Sequence, residues 1–112
     1  MDINLTAEAL LSQLGYSKTE QSIQQMENTI ENTNGFKNFS KHILALHDQL
    51  AHVKGFIALS NSKNVLKIKR SSEVSQEIKT EFSNLVESWS LKYKVQIQKV
   101  QNKPTYYIIG QI

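Results

Sequence analysis

Residues 64–112 read NVLKIKRSSEVSQEIKTEFSNLVESWSLKYKVQIQKVQNKPTYYIIGQI, and the rhythm of their side chains decides the fold. From Val65 to Arg70 apolar and basic residues alternate, Leu66 and Ile68 against Lys67 and Lys69, which is the period-two pattern of a half-buried strand over 65–70. Val74, Ile78, Phe82, Leu85 and Trp89 then recur every three or four residues, one apolar face of a helix over about 73–90 that Ser71 or Ser72 can cap. Alternation returns over 92–101, with Tyr93, Val95 and Ile97 on one side and Lys92, Lys94, Gln96 and Gln98 on the other. Asn102-Lys103-Pro104 supplies a turn, because proline cannot donate to a ladder and asparagine tolerates turn geometry. Residues 105–111 then form the returning strand of a hairpin. The order βαββ predicts a small three-stranded sheet with one helix packed on it.

Working back from residue 64, the turn-rich run 60–64 separates this unit from a helical segment. Phe39, Ile43, Leu46, Leu50, Val53 and Ile57 recur at spacings of 4, 3, 4, 3 and 4, a heptad seam on a helix predicted over 37–59. The seam is too short for a coiled coil, and Leu44, Ala45, Ala51 and Ala58 widen it into a bundle-like face. Ile23, Met26 and Ile30 mark an earlier helix over 18–33, for which Ser17 and Glu20 have capping-box spacing and Asn34-Gly35 the stop. A first helix over 6–14 is capped by Thr6 and closed by Gly15. The expected fold is α+β in a single domain spanning 1–112, a helical layer to residue 60 and a βαββ layer from residue 61.

Composition removes several classes of function. The chain of 112 residues is 39% hydrophobic and 21% charged, a balance that folds rather than staying disordered. Without cysteine there are no disulfides, no thiolate metal sites and no thiol nucleophile. No apolar run approaches membrane-spanning length and residues 1–14 lack the pattern of a secretory leader, so a cytoplasmic protein with no membrane partner is expected. His42, His47 and His52 lie five residues apart, about 140° of helix rotation per step, so they do not converge on one metal. Asp48, four residues before His52, makes only an ordinary surface pair. No Gly-x-Ser-x-Gly turn and no glycine-rich phosphate loop occurs, so neither catalysis nor a cofactor is expected.

Charge is distributed unevenly. Residues 1–58 carry 4 basic and 6 acidic side chains, whereas residues 59–112 carry 9 basic and 4 acidic. Those four acids, Glu73, Glu77, Glu81 and Glu87, all fall on the predicted fourth helix, the first three at i, i+4 and i+8 as an acidic ridge. The strands are therefore uniformly basic. Two binding roles follow. The first is assembly: the seam residues Phe39, Ile43, Leu46, Leu50, Val53 and Ile57 pack against a second copy, as a homodimer, or against another protein, a pattern that equally suits the central core helix of the chain itself. The second is nucleic-acid binding through Lys67, Lys69, Lys92, Lys94 and Gln96 on one sheet face, with Tyr106 or Tyr107 beside them to stack a base. The same pattern also suits a plain solvated face, on which edge lysines suppress aggregation. Arg70 is the only arginine, so fork-like recognition of phosphate is limited to one position.

Overall fold

The computed structural model describes residues 6–60 and 63–112; Asn61 and Ser62, within the predicted turn, lie outside the described residues. The class is α+β, with helices α1 (Ala7–Gln13), α2 (Glu20–Asn32), α3 (Phe36–Leu50) and α4 (Gln76–Tyr93). The strands are β1 (Gly55–Leu59), β2 (Leu66–Arg70), β3 (Val95–Lys99) and β4 (Thr105–Gln111). They form one antiparallel sheet in the order β1-β2-β4-β3.

The sheet therefore has four strands where the sequence pattern predicts three. The predicted helix over 37–59 ends at Leu50, passes through a 3-10 turn (Ala51–Val53) and stops at Lys54, which takes a left-handed conformation with φ 59°. Residues 55–59 then pair with β2. The seam hid this break because Ile57 stands four residues after Val53, as a helix requires, and also opposite Ile68 on the inward side of a strand. At the other end α4 starts later and runs further than the predicted 73–90. Ser75, not Ser71 or Ser72, caps it by accepting from the Ile78 amide, and Tyr93 is its last residue. Glu73 thus precedes the helix, and the acidic ridge loses its first member. At α2 the cap is also displaced: Thr19 and Ser22 form the reciprocal capping pair that the pattern assigns to Ser17 and Glu20.

One core holds these elements together. Leu10, Leu11 and Met26 from the first two helices join Phe39, Ile43, Leu46 and Leu50 of α3, Phe82, Val86 and Trp89 of α4, and Ile57, Leu66, Ile68 and Ile108 of the sheet in a single apolar cluster. α3 and α4 thus cover the inner face, with Phe39 edge-on to Trp89 and the Trp89 indole N–H donating to the His42 carbonyl at 3.0 Å. A short parallel bridge between Asn34 and Gly110 ties the α2–α3 corner to β4.

Candidate nucleic-acid interface

Antiparallel pairing decides which side chains reach the face opposite the helices. Because Ile57 stands opposite Ile68, and Ile68 opposite Tyr106, these three share the inner face, and their strand neighbours point outward. One outward row runs Ala58, Lys67, Tyr107, Gln98 across all four strands, and the next runs Phe56, Lys69, Thr105. At about 4.8 Å between strands, the first row spans roughly 14 Å. Gln96, opposite Gly110, extends the same face upward.

The small outward residues Ala58 and Thr105 are buried beside the lysines they pair with, so aromatic rings, lysines and glutamines, with half-buried Ile109 near the β3–β4 bulge, make up what is left at the surface. Phe56 is 42% exposed, which marks it as one of few large apolar side chains turned to solvent. The Lys63 ammonium lies 5.0 Å from the centroid of the Tyr107 ring, a cation–π contact that adds a third positive charge to this face. No carboxylate occupies any outward strand position, as the register shows.

The residues nominated from sequence divide between this face and elsewhere. Lys67, Lys69 and Gln96 share it. Lys92 does not, because it sits in the last turn of α4 with its ammonium over the Tyr93 ring, and Lys94 is the left-handed residue that closes that helix at φ 55°. Tyr106 points to the helices, is only 6% exposed and packs against Phe82, so Tyr107 is the ring on the outer face. Alternation read back through Tyr93 had carried the strand three residues too far. Phe56 is not among the nucleic-acid candidates of the sequence, since it falls in the strand that the sequence reads as helix.

The six seam residues also have a definite place. Phe39, Ile43, Leu46, Leu50, Val53 and Ile57 all lie in the chain's own core, with Leu46 and Leu50 at 0% exposure. The three histidines take separate environments. His42 stacks on Tyr93 with ring centroids 3.8 Å apart and its pKa is lowered, by burial first and then by the charges of Lys41 and Lys92. His47 accepts the Ile57 amide at Nδ1, and His52 is exposed in the 3-10 turn. Among the described residues no group of three potential ligands could hold a metal ion, and no helix is long and apolar enough to cross a membrane.

Comparison of the chain with protein families, with curated proteins and with solved structures finds no match.

Proposed function

We propose that this protein binds single-stranded nucleic acid on the outer face of its sheet. The observation that carries this is the register itself: Phe56, Lys67, Lys69 and Tyr107 stand on adjacent strands of one carboxylate-free face, with Gln96 and Gln98 at its margin. A flat pleated surface does not fill the groove of a duplex as a helix does, but it suits splayed bases that stack on rings while lysines meet the phosphates. With no arginine on this face, recognition is expected to tolerate many sequences. Glutamine amides at the margin can still accept from and donate to base edges.

The test is a fluorescence-anisotropy titration of a short single-stranded oligonucleotide at several salt concentrations. Three lysine–phosphate contacts predict a slope of log K against log salt near about −2, at about 0.7 per phosphate. Lys67→Glu with Lys69→Glu should weaken binding about tenfold or more, because two attractive contacts become repulsive. Lys92→Glu with Lys94→Glu changes the net charge equally but lies off the face, and should act much less. Equal losses from both pairs, or binding that salt does not alter, would rule the face out.

An assembly role has one surface in its favour. Leu91 and Ile112 are 80% and 82% exposed, and the Ile112 amide donates to the carbonyl of Lys94, three residues after Leu91, where it extends the β3–β4 ladder. A second copy docking there would raise the apparent mass in sedimentation equilibrium, and Leu91→Lys would reverse it.

A further inference from the structure

We infer that the lower rim of the sheet holds a phosphate-binding site, separate from the outer face and standing whether or not nucleic acid binds there. A depression of about 340 Å³ opens between the end of β2, the β3–β4 turn and the first turns of α4. Arg70, Lys79, Lys99 and Lys103 line it, together with the Ser72 hydroxyl and the Asn102 amide, and among the described residues no carboxylate does. Four cations brought into one concavity repel each other, and an anion seated among them removes that repulsion.

Two of the four are held in place before any ligand arrives. The Arg70 guanidinium packs 5.6 Å from the Phe82 ring centroid and donates through one terminal nitrogen to the Ser71 carbonyl at 2.9 Å. Its Nε is buried and has no acceptor among the described residues. The Lys99 ammonium lies over the Tyr106 ring and donates to the carbonyls of Val100 and Lys103, which leaves one of its three N–H groups for a ligand. Lys79 and Lys103 approach from the helix and the turn as movable charges. A rigid guanidinium, a pinned ammonium and two flexible ammoniums suit a phosphoryl group better than a carboxylate, because a phosphoryl group presents three anionic oxygens instead of two and carries nearly twice the charge.

The phosphoryl group can belong to a free polyphosphate or to the end of a nucleic-acid strand, since Lys69 of the outer face immediately precedes Arg70 and Thr105 immediately follows the turn. Amide chemical shifts followed during titration with sodium tripolyphosphate test the site directly. Shifts should concentrate on residues 70–72, 79 and 99–103, and Lys79→Ala with Lys103→Ala should weaken binding about tenfold. Among the described residues neither side chain makes a hydrogen bond or an ion pair, so the variant spectrum should otherwise match. Lys67→Glu with Lys69→Glu should leave tripolyphosphate binding within about twofold at moderate salt, where exposed charges are screened. Oligonucleotides with a 5′-phosphate or a 5′-hydroxyl distinguish the sources: preference for the phosphate that disappears in the lysine double variant identifies a strand end, and equal binding beside tight tripolyphosphate binding identifies a free polyphosphate. Shifts spread evenly over all lysines, or no loss in the double variant, would overturn the site even if the outer face binds oligonucleotide as proposed.

Discussion

Nδ1 of His47 accepts a hydrogen bond from the Ile57 amide at 3.0 Å, across the end of α3 onto the outer edge of β1. Two residues further along, the Leu59 amide donates to the Tyr16 hydroxyl at 2.9 Å. β1 pairs with β2 on one side only, so these two amides would otherwise face outward as a template for another strand. An accepting Nδ1 carries no proton, which fixes the proton of neutral His47 on Nε2. Side chains drawn from α1's end and α3 thus do at this edge what a fifth strand would do.

Removing the acceptors should therefore act on stability and on association together. His47→Leu leaves the Ile57 amide unpaired at a cost of about 1–2 kcal/mol, and Tyr16→Phe costs a similar amount through Leu59. Urea unfolding should show lower midpoints with an unchanged slope. The double variant should form larger species in light scattering as its β1 edge becomes available. A double variant as stable and as small as the parent would show that the edge needs no sealing.

Burial of the seam leads to a second expectation. Leu50 has no exposed surface, so Leu50→Ala should cost about 2–5 kcal/mol, the range for a leucine lost from a packed core. The loss should be the same at low and high protein concentration, because the contacts lie within one chain. A midpoint that rises with concentration in the parent, and no longer does in the variant, would instead place these residues between copies.

Much of this arrangement was legible in sequence, and the failures have physical causes. The period-two runs at 65–70 and 105–111 are strands, and Thr6 caps the first helix by accepting from the Ala9 amide. Ile57 misled because one position satisfied both a helical and a pleated period. Tyr93 misled for a similar reason: it alternates with Val95 and Ile97 yet belongs to α4, where it meets His42. Which tyrosine faces outward depends on the pairing of Lys67 with Tyr107, a register that no local pattern encodes. The roles of His47 and Tyr16 are long-range, and nothing near either residue in sequence announces them.

Gly110 offers a sharper backbone test. Its φ is +153°, and an added Cβ would come within 3.0–3.2 Å of the backbone N and O and the Cβ of Asn34, where the parallel bridge forms. Gly110→Ala should therefore cost about 2 kcal/mol or more, combining backbone strain with displacement of the α2–α3 corner. Gly15, at φ +86° with nothing within 4 Å of such a Cβ, isolates the conformational part, and Gly15→Ala should cost about 1 kcal/mol. Thermal unfolding of both variants compares them, and equal losses would remove any special role for the bridge.

His42 should make stability depend on pH. Burial and the neighbouring lysines Lys41 and Lys92 hold its pKa below the usual 6.5, so the folded protein binds this proton less readily than the unfolded chain. Stability from this group is then fully present above pH 6.5, falls as the pH drops towards the folded-state pKa, and is constant below it. An NMR titration of the imidazole should give a midpoint under 6.5, and His42→Phe should remove its part of the acid sensitivity while keeping a ring against Tyr93. A midpoint at or above 6.5 would reverse the sign.

Phe56 separates binding from folding more cleanly than any lysine. The ring is 42% exposed and stands next to Lys69 on the outer face, so the fold depends on it little and a stacked base would depend on it heavily. Phe56→Ala should shift stability by no more than about 0.5 kcal/mol, the usual range for an exposed site. Loss of one stacked base is worth about 1–3 kcal/mol, hence a fall in oligonucleotide affinity of about tenfold or more. Because no charge changes, the salt slope should stay the same while the whole line moves down, whereas Lys67→Glu with Lys69→Glu should flatten it. An affinity that Phe56→Ala leaves untouched would reduce the face to its lysines, and binding there to charge attraction without stacking.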